Sequence, residues 1–433
     1  MVAQFPAQAQ SLRACPLPLG GAVAQRLRGF ETAEPEKTVK RSSRRTGVNL
    51  QFFPVQPSAL ELKGASSPFF VAPARRNRWH FSGSLLVSKE NIPRPLPFSL
   101  TQFYATIPVT KTFGETPILY YAAPMEGFTD RVWRQTHQKW FGAQGAADRY
   151  YAPFISPPEN RVLIKKKMAE LAPEANPGAP VIPQLLAKDG ELAAWMIGQL
   201  RALGYTEVNL NLGCPAGTVT AKGKGSGMLR DLAKVDAFLE GVFSRTEGPV
   251  SVKTRLGVEK PEEFAAILEI YNRYPISELT IHPRVMRQQY RGQADRAAFA
   301  AALPRCTMPV CYNGDVTTAA QLHALEEEFP ALSGIMVGRG LIADPALFRK
   351  ARGGAPATKE ELRGYLTDLY HGYTELFGSA GCAISRMKGH WFYLIHCFAG
   401  AEKLEKQLKK LREPWEYEVV VNQIFTLPLV END

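Results

Sequence analysis

The chain has 433 residues, 45% hydrophobic and 21% charged, a composition that excludes a wholly disordered protein and allows a large core. Six cysteines without a CxxC pair argue against a disulfide framework and suit a reducing compartment, while no apolar run reaches the roughly 18 residues of a membrane helix. The net charge of +11 is gathered at one end: residues 1–115 hold 15 Lys and Arg against 6 Glu, and the remainder is nearly neutral, with 37 basic against 35 acidic side chains.

Residues 1–115 are rich in Pro, Arg, Ser and Gln, contain no Asp and show no sustained period. They are expected to form an extension of low order. Two origins compete for it, an organellar transit peptide, favoured by Arg and Ser with few acids, or upstream sequence that is no part of the working protein. No Met lies between Met1 and Met125, so a start just before Ile118 would need another codon.

From Pro117 the rhythm changes. Short apolar segments at 118–123, 149–154, 181–186, 207–212, 250–255, 278–282, 310–313 and 334–337 read as eight strands. Amphipathic patterns of helical length follow several of them, at 189–203, 232–244, 261–274 and 317–328. This repeated βα unit predicts an α/β fold, a (β/α)8 TIM barrel, with a doubly wound sheet as the alternative. After Ala355 the strand signals stop, and 359–377, 384–398, 401–412 and 415–425 read as helices punctuated by Gly378, Gly381, Gly400 and Pro414. The expected organisation is an extension over 1–115, a barrel over 116–353 and a small all-α domain over 354–433.

In a barrel the loops after the strands converge on one face, and the unusual polar residues of this chain fall there. Strand four ends in Gly213-Cys214-Pro215; the proline forbids helix at Cys214 and removes a donor, so the thiol is presented at a strand end. Asn209 and Asn211 lie two apart, hence on one face, and Gly223, Gly225 and Gly227 let the next segment approach what binds there. Around them stand Pro124, Met125 and Glu126 after strand one, Gln184 on strand three, Lys253 on strand five and His282 with Arg284 after strand six. Asn313-Gly314-Asp315 and Gly338-Arg339-Gly340 close strands seven and eight.

Each has a bland reading, such as a satisfied core histidine, a structural lysine or a turn. Together they ring one mouth. Gly-containing loops after strands seven and eight, the latter opening a helix at 341–348, suit a phosphate, and with Lys253, His282 and Gln184 as donors the ring suits an anionic planar cofactor such as FMN. A GxGxxG fingerprint is missing, which argues against a stably bound dinucleotide. Cys306 and Cys311 lack histidine partners, so no metal is expected.

These motifs carry a family resemblance. Residues 117–425 resemble the bacterial-type, FMN-dependent tRNA-dihydrouridine synthases through Ala123-Pro-Met-Glu-Gly127, Asn211-Leu-Gly-Cys-Pro215, Ser251-Val-Lys-Thr-Arg-Leu-Gly257, Gln289-Tyr-Arg-Gly-Gln-Ala-Asp295, Asn313-Gly-Asp315 and Gly338-Arg-Gly340. One departure stands out: the family usually has His-Gly-Arg-Thr where this chain has His282-Pro283-Arg284-Val285, and Pro283 stiffens that loop.

The resemblance implies an oxidoreductase that reduces the C5=C6 bond of a uridine in tRNA, with FMN as cofactor and NADPH or NADH as reductant. It implies that Pro124, Met125 and Glu126 line the flavin, that Gln184, Lys253 and His282 bond its ring or tail, and that Asn313, Gly314, Asp315, Gly338 and Arg339 hold its phosphate. Flavin N5 would deliver hydride to C6 and Cys214 a proton to C5, since a thiol of pKa about 8.5 stays mostly protonated at neutral pH yet donates readily.

Asn211 and Arg284 are expected at the substrate, which must be extruded from its stack to reach the mouth. The tRNA would be gripped by a basic stretch of the helical domain, Arg386, Lys388, Lys403, Lys406, Lys409, Lys410 and Arg412 against Glu402 and Glu405, while Trp391 is expected in that domain's core. A cytoplasmic monomer with no membrane partner completes the expectation. The rivals are an FMN barrel acting on a free pyrimidine and a flavin-free tRNA-binding protein.

Overall fold

The computed structural model describes residues 117–430, so the expected extension over 1–115 lies outside the described residues. Nine short strands form one parallel sheet: β1 (Leu119–Ala122), β2 (Arg149–Tyr151), β3 (Val181–Ile182), β4 (Gln184–Leu185), β5 (Val208–Leu212), β6 (Val250–Arg255), β7 (Leu279–His282), β8 (Val310–Tyr312) and β9 (Gly334–Val337). Their order is β3-β2-β1-β9-β8-β7-β6-β5-β4. β3 and β4 are the two halves of a single stave, parted at Pro183, which has no N–H to give the ladder.

Because β3 pairs with β2 and β4 pairs with β5, the two sheet edges belong to one stave and the ring closes. The fold is therefore an eight-stave (β/α)8 barrel and not a doubly wound sheet. Beyond β2 the chain spans the break, with Ile155 N–H donating to the Gln184 carbonyl and Leu186 N–H to that of Ile155, both at 2.9 Å.

Alternation along each strand divides the interior in two. Tyr120, Ala122, Tyr150, Val208, Leu210, Val250, Val252, Leu279 and Ile281 join the large core beneath the helices, the Val, Leu and Ile side chains each contributing about 1.5–3 kcal/mol on full burial. Their neighbours Tyr121, Ala123, Tyr151, Cys311 and Met336 form a separate small cluster on one side of the barrel interior. On β5 to β7 the inward positions are instead Asn209, Asn211, Ser251, Lys253, Thr280 and His282. Half of the barrel interior is thus apolar and half polar, and the polar half carries the unusual residues.

Side-chain caps start the helices where the pattern expects them. Asp189 accepts from Leu192 N–H at 2.8 Å ahead of the helix Gly190–Ala202, and Thr318 with Gln321 forms a capping box before Ala319–Glu328. Four expected helices differ, and of these 261–274 opens in a 3-10 turn and is α-helical only over Phe264–Tyr271, while 401–412 is helical only over Glu402–Leu408. The stretch 341–348 divides into Arg339–Ala343 and Leu347–Ala351, because Asp344, ahead of Pro345, is held extended. The stretch 384–398 begins earlier, as Ala380–Leu394 capped by Ser379, and ends in a short 3-10 turn.

The C-terminal helices pack directly on the barrel. Lys359–Phe377 lies against Arg131–Gly145, where Gly364 faces the Trp140 ring and Gly372 faces Val132. Asp368 accepts from Trp140 Nε1 at 2.6 Å and Lys139 Nζ at 2.7 Å. Trp391 is buried among Phe398 and Phe425 and donates to Tyr417 Oη at 3.0 Å, so it belongs to the core of the helical segment.

Candidate active site

Where β5 ends, Asn211 turns its Oδ1 back to accept from the N–H groups of Gly213 (3.2 Å) and Cys214 (2.8 Å). The Cys214 carbonyl in turn accepts from Ser226 N–H (3.1 Å) and Ser226 Oγ (2.9 Å). The Gly-rich segment after Cys214 is built into the wall here. It forms the short helix Gly217–Thr220 and the 3-10 stretch Gly225–Arg230, with Ser226 fully buried. Gly225 has φ +57° and a Cβ on it would sit 2.7 Å from the Cys214 carbonyl oxygen, so glycine serves close approach at this point.

The Cys214 thiol is half-buried. Burial pushes its pKa up, while the Ala216 N–H and the charges of Arg255 and Lys253 pull the other way. On β6, Lys253 donates from Nζ to Asn313 Oδ1 at 2.6 Å, and Asn313 Nδ2 donates to the Met336 carbonyl at 2.8 Å. Burial, reinforced by Arg255, lowers the lysine to about 7.

His282 at the end of β7 is buried, and its Nε2 faces Arg284 Nη1 at 3.0 Å. A guanidinium only donates, so Nε2 accepts and the ring proton sits on Nδ1. Burial, with Arg255, Lys253, Arg284 and Arg339 nearby, holds the imidazole neutral by pushing its pKa well down. Arg284 is fully buried in the wall of the mouth. It forks onto Asp315, with Nη1 at 3.0 Å from Oδ1 and Nη2 on Oδ2, and also donates to the carbonyls of Arg291 (3.3 Å) and Gly292 (2.6 Å). It thereby pins the segment 289–295 onto the Asn313–Asp315 turn. Arg339 reaches the same carboxylate at 2.6 Å.

The first and last strand ends meet as well: a Cβ on Gly338 would lie 3.0 Å from Met125 Sδ. Pro124 and Met125 are half-buried, and Glu126 is exposed at the rim. The structure therefore brings the expected residues together in linked groups: Gln184 with Asn211 and Cys214, Lys253 with Asn313, His282 with Arg284, Asp315 and Arg339, and Met125 with Gly338.

Arg386 and Lys388 stand apart, on the helix Ala380–Leu394. The Arg386 guanidinium lies over the rings of Tyr373 (5.5 Å) and Phe377 (5.6 Å), 3.8 Å from Asp130 Oδ2, and faces Gly127 of the first strand-end loop. Lys388 donates to the Leu411 carbonyl. Both hold the helical segment together or to the barrel.

Two residues at the mouth lie inside the family motifs, yet neither receives a role from sequence alone. Arg255 is fully buried and donates from Nε to the Gly213 carbonyl at 2.9 Å and from Nη1 to that of Val285 at 3.1 Å. Tyr290 is 55% exposed, with its ring between the guanidinium groups of Arg255 (5.4 Å) and Arg339 (5.6 Å) and 6.3 Å from His282. A signal for Arg255 does exist in the sequence, since two residues beyond Lys253 on a strand is the same face.

Lys253, Arg255, Arg284 and Arg339 thus surround a neutral histidine with Asp315 as the shared carboxylate. A site with this excess of cations, walled by protein, fits a bound anion. Among the described residues no group of His, Cys, Asp and Glu could hold a metal ion, and no helix is long and apolar enough to cross a membrane.

A closed parallel barrel with its polar residues at the strand ends, a cation-rich mouth and one thiol at its edge defines a barrel enzyme that works on a ligand held at that face. The sequence model of the dihydrouridine synthase family matches residues 121–426. A probable tRNA-dihydrouridine synthase of Rhodobacter capsulatus is 27% identical over 313 residues, 69% of this chain and 92% of that protein. One from Synechocystis is 29% identical over 317 residues, 70% of this chain and 84% of its own. The tRNA-dihydrouridine(16) synthase of Cupriavidus necator is 28% identical over 314 residues, 70% of this chain and 95% of its own. The chain belongs to the dihydrouridine synthase family, oxidoreductases that reduce uridine in tRNA to 5,6-dihydrouridine.

Proposed function

We propose that the mouth holds FMN, that NADPH or NADH is the reductant, and that Cys214 protonates C5 of a uridine extruded from tRNA. The donor set supports the fit, because a flavin phosphate would balance the positive charge around His282 and Asp315. Asn313, Gly314, Asp315, Gly338 and Arg339 would hold that phosphate, Lys253, His282 and Gln184 the ring or ribityl chain, and Pro124, Met125 and Glu126 the remaining edge. When bound, FMN supplies the hydride that adds to C6.

The chain's own residues do the rest. Negative charge that gathers toward C5 and O4 as C6 is reduced must be met by a proton, and the Cys214 thiol, kept protonated by burial, is placed at the mouth to give it. Asn211 fixes the backbone of Cys214 at the strand end from which the thiol projects. The single observation that carries this reading is that the Cys214 strand end, held through Asn211, shares one face of the barrel with the basic side chains of Lys253, Arg255, Arg284 and Arg339.

Outside the mouth, Lys403, Lys406, Lys409, Lys410 and Arg412 are exposed and make residues 354–433 the grip for tRNA phosphates. The test is incubation of the protein with NADPH and unmodified tRNA, followed by mass-spectrometric mapping of dihydrouridine. A yellow protein and dihydrouridine at defined positions are expected. Free uridine reduced as fast as tRNA would move the assignment to a small-pyrimidine enzyme.

A further inference from the structure

The polar half of the barrel is threaded by one line of hydrogen bonds that begins far from the mouth. Glu207, just ahead of β5, pairs with Arg149 at 3.0 Å and accepts from Ser251 Oγ at 2.6 Å. Ser251 accepts from Asn209 Nδ2 (2.9 Å), Asn209 Oδ1 from Gln184 Nε2 (2.7 Å), and Gln184 Oε1 from Asn211 Nδ2 (2.7 Å). Asn211 Oδ1 then takes the N–H groups of Gly213 and Cys214. All five side chains from Glu207 to Asn211 are buried, and strand register alone sets Gln184, Asn209 and Ser251 side by side.

The line has a polarity, and both ends demand the same one. A carboxylate paired with arginine only accepts, so Ser251 must spend its proton on Glu207 and offer its oxygen to Asn209. That choice turns Asn209 so that its oxygen faces Gln184, which turns Gln184 and then Asn211 in the same sense. At the far end the backbone N–H groups of Gly213 and Cys214 require an oxygen, and they meet one. With every amide reversed, Asn211 would oppose N–H to N–H and Ser251 would aim lone pairs at Glu207, in a setting where an unmet polar group is costly.

We infer that Glu207, Ser251 and Asn209 are positioning residues for the reaction, setting from the opposite end of the barrel the orientation of Gln184 and Asn211 and hence the placement of Cys214. The inference rests on the proposed role of Cys214 as acid. The polarity also leaves Asn211 with both oxygen lone pairs used and one N–H unspent, so what it offers a ligand is a donor, suited to a pyrimidine carbonyl and not to a ring N–H.

The test uses Ser251→Ala, which cuts the line, and Glu207→Gln, which removes its fixed acceptor at the same size. Tyr121→Phe is the control, because its hydroxyl is equally buried, donates to Glu278 at 2.9 Å and takes no part in the line. In flavin-free protein the rate of Cys214 alkylation by iodoacetamide, read by peptide mass spectrometry, is expected to rise about fivefold in both line variants, the worth of one hydrogen bond. In flavin-loaded protein kcat for dihydrouridine formation should fall by a similar factor with KM for tRNA unchanged. Tyr121→Phe should shift the melting temperature and leave both readouts at the wild-type value.

Wild-type alkylation and kcat in Ser251→Ala and Glu207→Gln overturn the inference, as does an equal response in Tyr121→Phe. Should Ser251→Ala fail to fold, the isosteric Glu207→Gln decides alone. A wild-type protein that forms no dihydrouridine would instead remove the functional reading, and the alkylation rates would still judge the line.

Discussion

A thiol serves as an acid only while it keeps its proton, and Cys214 keeps it because burial outweighs the neighbouring cations. Cys214→Ala should therefore retain flavin, with its absorbance unchanged, and lose about 10²- to 10⁴-fold in turnover, the usual worth of a positioned acid; undiminished turnover would refute the role. Since the pKa is raised, turnover should stay level through neutral pH and decline only at alkaline pH as the thiolate forms. Lys253 shows the opposite conflict. Its pKa is lowered from 10.5 to about 7 by burial and Arg255, so between those values the unfolded chain binds more protons than the folded one. The sign follows: the lysine's contribution to stability rises with pH across that window and is most unfavourable below about 7. Lys253→Met should raise the melting temperature of flavin-free protein at about pH 6, with the gain shrinking toward pH 10, and should weaken flavin retention. A gain independent of pH would show that the charge is not the cause.

At the scale of elements, what the sequence disclosed and what it withheld have separate physical reasons. The staves were legible because alternating positions face different cores, as on β5, where Val208, Leu210 and Leu212 face the helices and Asn209 and Asn211 face inward. The break at Pro183 was not read as a break because both halves keep their alternation across it. The division of 341–348 turned on Asp344-Pro345, a local rule that apolar periodicity obscured. Arg284 was expected at the substrate from its motif alone; its fork onto Asp315 depends on residues 31 positions away, a pairing no local pattern reveals. Gly364, inside the helix Lys359–Phe377, likewise depends on a distant partner, because it admits the Trp140 ring. Gly364→Ala should gain about 1 kcal/mol in helix propensity and lose about 1–3 kcal/mol or more to overpacking. The net expectation is a lower melting temperature with earlier proteolysis between 352 and 358, and a higher melting temperature would mean that the helices separate there without cost.

For the whole molecule, the question is how a nearly neutral body holds a polyanion. The basic excess of the sequence lies in residues 1–115, and within the helical segment Arg386 and Lys388 are engaged with Asp130 and with the Leu411 carbonyl. The exposed charge lies further on, where Lys403 and Lys406 fall one turn apart on the helix Glu402–Leu408 and Lys410 follows at the next turn. Lys409 beside them already pairs with Glu405 at 2.6 Å. Binding through phosphates releases counterions, so each phosphate deprived of its lysine should flatten the fall of log affinity with log salt by about 0.7–0.9. Replacing Lys403, Lys406 and Lys410 by Glu together should therefore raise KM for tRNA at least about tenfold near 0.1 M salt and reduce the salt slope by about 2. Flavin content and kcat at saturating tRNA should not change, because none of the three is among the residues proposed to hold the flavin or the reacting uridine. A higher KM with the wild-type slope would point to a distorted helical segment, and an unchanged KM would place the grip on another face of the barrel.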